Sequence, residues 1–273
     1  MKIQYRAKGI TLFESALFRT ITTVVEGNDF ILVVDPNWLP EEVQEIAAYA
    51  KRVGKGKEQY LLFTHSDYDH IIGYGAFLNW KTIASKRFVE NPEATAQLQQ
   101  AKDWDDEYYI KRTYKLSYPK IDYSIAGKGK GMYLGENTEA LFYQAAGHNY
   151  DGLATFLPAQ GVLIVGDYLS NIEFPYVYHS FEEYHKTLWR LEKIIISGQV
   201  KLLVTGHGDA ATELSEMTLR LRESRDYLTC LEASVRSGTT FDLERLFQRY
   251  SFPGIMRKFH KKNMALLRQE LKG

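Results

Sequence analysis

The sequence has little cysteine, no net charge and no long apolar run, and each shortage excludes a class of protein. Its 273 residues include one cysteine, Cys230, so no disulfide framework can form within the chain. Lysine plus arginine and aspartate plus glutamate number 34 each, so no overall field attracts nucleic acid or a membrane surface. No stretch approaches the ~18 apolar residues of a membrane span, and no secretory signal is visible. We therefore expect a cytoplasmic protein, in which Cys230 is a small packing residue of a helix.

What the sequence does contain is a dense cluster of metal-binding side chains. Residues 65–70 read His-Ser-Asp-Tyr-Asp-His, so two histidines and two aspartates fall within six consecutive positions. They follow a short apolar segment, residues 59–63, that is typical of a β-strand. Burying such a cluster is costly unless a cation neutralises it. Because imidazole and carboxylate groups bind first-row metal ions, the pattern predicts a metal site at a strand end.

Three further strand-like segments end in a glycine that is followed by a metal-competent residue. The pairs are Gly147-His148, Gly166-Asp167 and Gly206-His207. Glycine allows the chain to turn sharply out of a strand, and α/β folds place their sites where such strand ends meet. Four of the seven histidines occupy these strand ends, namely His65, His70, His148 and His207. We interpret the four segments as parts of one site.

These motifs, in this order, resemble those of the metallo-β-lactamase-fold superfamily. The usual signature there is His-x-His-x-Asp-His, then Gly-His, Gly-Asp and a final Gly-His. The resemblance extends from the first strands through Gly208. It implies an α/β fold, a four-layer αββα sandwich with the site along one edge of two sheets. Residues 1–210 would form this domain, and residues 211–273 a helical C-terminal extension packed on it. Asp167 in the third motif points to the glyoxalase II and lactonase branches.

The resemblance also implies two divalent metal ions with shared ligands. The first ion would be held by His65, Asp67 and His148, the second by Asp69, His70 and His207, and Asp167 would bridge both with a hydroxide. Two cations that share a water lower its pKa from 15.7 towards ~7. Asp69 would act as a catalytic residue that orients this hydroxide.

Asp67 departs from the usual signature, because most family members have histidine there. Flavodiiron reductases and the domain of DNA-uptake channels carry an acidic residue at this place. A carboxylate is a harder ligand than imidazole, so it favours iron or manganese, although zinc stays compatible and is the metal we expect. Alternatively, Asp67 is only a hydrogen-bond partner that orients His65 or His148.

The residue types and the resemblance together predict a dinuclear metal-dependent hydrolase. Its bridging hydroxide would attack an ester, thioester or lactone in a small-molecule substrate. A phosphodiesterase or nuclease-type hydrolase is the alternative, but no basic groove is evident and nucleic acid is not expected as a partner. A diiron redox protein or an inactive binding protein are further alternatives. The oligomeric state stays open.

Several aromatic residues and one histidine after Asp167 are candidates for contact with the substrate. They are Tyr168, Tyr176, Tyr178 and His179, of which we favour Tyr178 and His179 as catalytic residues. The alternative is that they pack beneath a helix that begins with a capping box at residues 180–183.

Other segments carry weaker predictions. Residues 91–124 show no strong period and either overhang the site or form a surface excursion. Pro40 should open a helix that ends at Gly54. Residues 17–34 read as a hairpin, and residues 211–271 as helices with breaks at Gly238 and at Pro253-Gly254. His260, near the C-terminus, should be an exposed or capping histidine, with a substrate-side role as the alternative.

Overall fold

The computed structural model describes residues 1–127 and 129–272, and in this part of the chain two β-sheets pack face to face. The larger sheet has seven strands that lie side by side in chain order. They are β1 (Lys2–Ala7), β2 (Ile10–Glu14), β3 (Ile21–Glu26), β4 (Phe30–Val34), β5 (Glu58–Leu62), β6 (Lys81–Ser85) and β7 (Tyr123–Ile125). The strands from β1 to β4 pair antiparallel, whereas those from β4 to β7 pair parallel.

The smaller sheet has five strands in the described residues, in the order β12-β11-β10-β9-β8. They are β8 (Lys130–Leu134), β9 (Thr138–Gln144), β10 (Leu153–Leu157), β11 (Val162–Ile164) and β12 (Leu202–Val204). Only the pair of β11 and β12 is parallel among these. As a result, the carboxyl ends of these two strands emerge at the same edge of the sheet.

Helices pack on the outer face of each sheet and over the edge at which the site lies. They are α1 (Pro40–Val53), α2 (Tyr68–Ile71), α3 (Lys86–Val89), α4 (Ala94–Glu107), α5 (Phe181–Ile195), α6 (Leu214–Ser237), α7 (Leu243–Phe247) and α8 (Pro253–Glu270). One apolar cluster fills the space between the sheets, a second joins the larger sheet to α1, and a third joins the smaller sheet to α5, α6 and α8. Every residue of β4 is buried, because both faces of its sheet are covered. The predicted αββα layering is confirmed.

Local signals place several helix ends as predicted. Pro40 occupies the first turn of α1, and Gly54 caps its end. The Ser180 hydroxyl accepts a hydrogen bond from the Glu183 amide at the start of α5. Gly238 ends α6 in the left-handed conformation, with φ of 70°. Among the described residues, no helix is long and apolar enough to cross a membrane.

Two of the weaker predictions were wrong, those for Cys230 and His260. Cys230 is exposed on α6 rather than packed, because the buried stripe of that helix runs through Tyr227, Leu228 and Leu231. Residues 94–107 form α4, although the sequence shows little periodicity there, since Ala101 is the one buried residue of that helix. His260 is buried on α8, where its Nδ1 lies 3.1 Å from the Tyr227 hydroxyl.

Candidate metal centre

The motif residues predicted from the sequence meet at one edge of the two sheets. His65 and Asp67 lie in the loop after β5, and Asp69 and His70 lie in the short helix α2 that follows. The other three residues follow strands of the smaller sheet: His148 comes after β9, Asp167 after β11 and His207 after β12. Gly147, before His148, has φ of 125°, and a Cβ there would lie 2.4 Å from the backbone of Tyr184. Only glycine therefore permits this turn.

The potential ligand atoms form two groups. His65, Asp67, His148 and Asp167 make up one group, and Asp69, His70 and His207 make up the other; within each, the donor atoms lie within 4.8 Å of one another. These residues could hold metal ions. The grouping coincides with the two ligand sets implied by the sequence resemblance.

Asp167 lies between the two groups. Its Oδ2 is 3.3 Å from His148 Nε2 and 3.3 Å from His207 Nε2. Its Oδ1 is 3.2 Å from His70 Nε2. Two ligands of one tetrahedral ion, each at ~2.1 Å, are about 3.4 Å apart. The observed separations therefore suit ligands that share ions, and the carboxylate can serve both.

Each of two histidine rings is oriented by a backbone carbonyl. His148 Nδ1 donates to the Tyr176 carbonyl at 2.8 Å, and His207 Nδ1 donates to the Phe18 carbonyl at 2.9 Å. Because Nδ1 makes this hydrogen bond, Nε2 is the ring nitrogen that faces the site and can bind a metal ion. The predicted hairpin included residues 17–20, but they leave the sheet before β3, and this loop presents the Phe18 carbonyl to His207.

Asp35 orients the other two rings. Its Oδ2 accepts from His70 Nδ1 at 2.9 Å and from the Thr64 hydroxyl at 2.5 Å. With its proton directed at Asp35, the Thr64 hydroxyl accepts from His65 Nδ1 at 3.0 Å. Hydrogen-bond partners of this kind fix the ring orientation of metal ligands. Asp35 follows β4 and was not predicted from the sequence, since no local motif marks it.

Several of the polar atoms that face the middle of the site have no hydrogen-bond partner in the described residues. They include His65 Nε2, His70 Nε2 and Asp167 Oδ1, all of them buried. His70 Nε2 and Asp167 Oδ1 face each other without the geometry of a hydrogen bond. Leaving such groups unpaired costs several kcal/mol. Divalent cations in the two groups would satisfy these atoms, so the residues present fit metal ions.

The charges lead to the same conclusion. Burial lowers the pKa of His148, but hydrogen bonds to Asp167 and Asp67 outweigh it and raise that pKa to about 10. His207 is likewise buried, yet the charge of Asp167 raises its pKa to about 10. The cluster of carboxylates therefore requires positive charge, which protons supply when no cation is bound.

The two carboxylate oxygens of Asp67 have different partners. Its Oδ2 lies 3.5 Å from His65 Nε2 and 3.3 Å from His148 Nε2. Its Oδ1 accepts from Gln97 Nε2 at 3.2 Å and from Asn149 Nδ2 at 2.7 Å. The Nδ1 atoms of both histidines have other partners, so Asp67 does not occupy the orienting position. This geometry favours the interpretation of Asp67 as a ligand over that of an orienting partner.

A cavity of about 890 Å³ lies directly over the site. Asp67, Asp69, Asp167 and His207 form part of its floor. Helices α4 and α8 contribute wall residues, namely Gln97, Gln100, Trp104, Lys258, Phe259 and Lys262. Within residues 91–124, the part up to Trp104 lines the cavity, which agrees with the interpretation that this segment overhangs the site.

The structure separates the candidates for substrate contact. Tyr176, Tyr178 and His179 line the cavity. Tyr168 is buried instead: its hydroxyl donates to the Ala146 carbonyl at 2.8 Å and accepts from the His148 amide at 2.9 Å. Tyr168 thus supports the loop that carries His148.

Sequence reasoning missed several acidic residues of the cavity lining, and Glu173 is one of them. Glu173 lines the cavity, and burial raises its pKa to about 7. It follows no glycine and no strand, so nothing local distinguishes it from a surface glutamate. His260 is not among the residues that line the cavity, although its helix α8 does contribute to the wall.

Asn263 connects the C-terminal helix α8 to the site through hydrogen bonds. Its side chain is buried, accepts from the Val177 amide at 2.9 Å, and donates to the Pro175 carbonyl at 2.7 Å. The segment that it holds contains the carbonyl of Tyr176, which orients His148. Helix α8 therefore helps to position a residue that orients one of the candidate ligands.

We expect Asn263→Ala to lower the free energy of unfolding by about 2–4 kcal/mol, because several buried polar groups lose their partner together. Thermal and denaturant unfolding would measure the change. The matched control is Lys261→Ala, since Lys261 is exposed on the same helix. A loss no larger than that of the control would contradict the structural role of Asn263.

The fold and this pair of His/Asp clusters define a class of αββα proteins with candidate metal-binding residues at the sheet edge. The sequence model of the metallo-beta-lactamase superfamily matches residues 18–207, and the chain belongs to that superfamily. Membership and the candidate ligands together support a metal-dependent hydrolase.

Solved structures share the fold at low sequence identity. A metallo-beta-lactamase family protein from Thermus thermophilus is 17% identical, with a TM-score of 0.64 over 96% of this chain and 94% of that one. The stereoselective inverting sec-alkylsulfatase Pisa1 from Pseudomonas sp. is 15% identical, with a TM-score of 0.73 over 97% of this chain and 49% of that one.

One curated relative also matches part of the sequence. It is the protein rlx of Staphylococcus aureus, which is 25% identical over 147 residues. The match covers 51% of this chain and 43% of rlx, so the chain spans less than half the length of that relative.

Proposed function

We propose that this chain is a dinuclear metal-dependent hydrolase that cleaves an ester, thioester or lactone in a small-molecule substrate. The observation that carries the proposal is the position of Asp167, whose carboxylate lies within 3.3 Å of histidine nitrogens from both groups. In this proposal His65, Asp67 and His148 hold the first ion, Asp69, His70 and His207 hold the second, and Asp167 is shared. Zinc is the proposed metal. When bound, such ions supply a water of lowered pKa and polarise the bond to be cleaved.

The residues of the chain itself have distinct proposed roles. Asp69 reaches both the cavity and the second group, where its Oδ2 lies 3.5 Å from His207 Nε2. A carboxylate in this place can accept a proton from the attacking water and orient it. Tyr178 and His179 are proposed to contact the substrate, because both side chains line the cavity beside the loop of His148. Two hydrolase branches with an aspartate at the shared position, glyoxalase II and the lactonases, are the proposed relatives in chemistry.

Metal analysis and a substrate panel test the proposal. Purified protein should contain two ions per chain, lose activity on chelation and regain it with Zn²⁺. The panel should include a lactone, an aryl ester, a thioester, a phosphodiester and, because one structural neighbour is a sec-alkylsulfatase, a secondary alkyl sulfate. We expect turnover of the carboxylic esters, thioesters or lactones. Turnover confined to the phosphodiester or the sulfate would overturn the proposed substrate class.

Removal of the Tyr178 hydroxyl or of the His179 ring should slow turnover without removing metal. Tyr178 is 38% exposed at the cavity wall. Burial, followed by the charge of Arg87, lowers the pKa of His179, so this ring is neutral at pH 7. Loss of one positioned donor should reduce kcat about 100-fold. Steady-state kinetics and metal content of Tyr178→Phe and His179→Ala measure this.

Tyr133→Phe is the matched control for these variants, because Tyr133 is exposed on β8 and is absent from the cavity lining. It should keep the wild-type rate. Unchanged kinetics in both site variants would remove the assignment of Tyr178 and His179 as substrate contacts.

A further inference from the structure

Two side-chain amides converge on the oxygen of Asp67 that points away from the histidines. Asn149 Nδ2 donates to Oδ1 at 2.7 Å, and Gln97 Nε2 donates to the same atom at 3.2 Å. Neither donor is part of the metal-binding motifs. Their shared acceptor belongs to the one motif position at which this chain departs from the usual histidine.

The two amides come from different parts of the fold. Asn149 follows His148 in a turn that is closed by a 3.0 Å hydrogen bond from the Gly147 amide to the Asn149 carbonyl. One short turn thus presents an imidazole to Oδ2 of Asp67 and an amide to its Oδ1. A histidine at position 67 would have no oxygen to accept from the Asn149 amide, so this contact depends on the aspartate.

Gln97 reaches Asp67 from α4, the helix that overhangs the cavity. Aromatic packing holds α4 in position: the Trp104 ring stacks on the Tyr68 ring, with centroids 6.2 Å apart. Tyr68 is the neighbour of Asp67 in the chain. The packing of α4 on Tyr68 therefore also affects the position of the adjacent Asp67 carboxylate.

A carboxylate oxygen has two lone-pair sites, and two N–H donors can occupy both of them. Oδ1 of Asp67 is then satisfied by the protein, which leaves Oδ2 as the oxygen that faces His65 and His148. We infer that Asn149 and Gln97 are positioning residues that hold Asp67 as a ligand through a single oxygen. This inference rests on the proposed assignment of Asp67 to the first ion.

The consequence is specific to the first ion. Without the amides, the carboxylate can rotate, and both oxygens compete for the same cation. Loss of a hydrogen-bond partner of a metal ligand typically weakens metal affinity about 10- to 100-fold. The second group, Asp69, His70 and His207, has no contact with either amide among the hydrogen bonds of the described residues.

Competition titrations of metal-free protein with Zn²⁺ and a chromophoric chelator would test this inference without any use of activity. The variants are Asn149→Ala and Gln97→Ala. Asp67→Ala identifies which of the two binding steps belongs to the first ion. Gln100→Ala is the matched control, because Gln100 lines the same cavity from the same helix.

We expect the Kd of the first ion to rise about 10- to 100-fold in both variants, because the Asp67 carboxylate loses a donor that holds it in place. The Kd of the second ion should change less than about threefold, which also shows that the variants are folded. Wild-type affinity at both steps, or equal losses at both steps, would overturn the positioning role. If wild-type protein itself binds a single ion, the dinuclear proposal fails instead.

Discussion

Asp167→Ala should abolish tight binding of both ions and lower kcat/KM at least about 10³-fold, because no ions then remain to lower the pKa of the attacking water. The carboxylate lies 3.3 Å from His148 Nε2 in one group and 3.3 Å from His207 Nε2 in the other. Its removal deprives both groups of a shared anionic ligand. Metal content after dialysis, together with kinetics on the substrate found in the panel, measures the result.

The conservative variant Asp167→Asn tests whether metal binding depends on the negative charge of residue 167 or only on the size of its side chain. It fills the same space but lacks the negative charge, so it should also lose affinity for both ions. Asp226→Ala, at an exposed position of α6, is the control and should retain two ions. A fully loaded Asp167→Ala protein would contradict the shared position of this residue.

Asp67→Ala should have the second largest effect, because it removes the one anionic ligand that the proposal assigns to the first ion alone. We expect the first ion to be lost and activity to fall at least about 100-fold, while the group of Asp69, His70 and His207 stays partly occupied. Metal content per chain distinguishes this outcome from a purely orienting role. A protein that keeps both ions tightly in Asp67→Ala would defeat the assignment of this ligand.

Asp67→His should restore the first site in the pattern that is usual for the family. A neutral imidazole replaces an anionic oxygen donor, so metal preference should shift towards zinc and away from manganese or iron. Competition between Zn²⁺ and Mn²⁺ for metal-free protein measures the shift. An unchanged preference would show that residue 67 does not select the metal.

The seven candidate ligands could be found from the sequence, because each belongs to a local pattern. Four lie within six consecutive positions, and the others follow a glycine at the end of an apolar segment. Helix ends were found for the same reason: Pro40, Ser180 and Gly238 act on the few residues around them. Local backbone preferences and ligand chemistry are properties of short segments, so a single sequence carries them.

The surroundings of the ligands could not be found in this way. Asn149 meets Asp67 across 82 positions of the chain, and Phe18 orients His207 across 189. Helix α4 was missed because it buries so little apolar surface of its own. Its place depends on aromatic contacts with Tyr68 and its neighbours, which exist only after folding.

The sequence by itself thus determined the candidate ligands and the superfamily resemblance, since residue types and their spacing specify these, and the resemblance in turn implied the αββα class. Only the tertiary structure decided that Asp35 orients two of the histidines and that α4 and α8 wall the cavity. It also decided that Asp67 directs one oxygen at the histidines and the other at two amides. The physical reason is that hydrogen bonds act over about 3 Å in space, and packing brings together donors and acceptors that the chain keeps far apart.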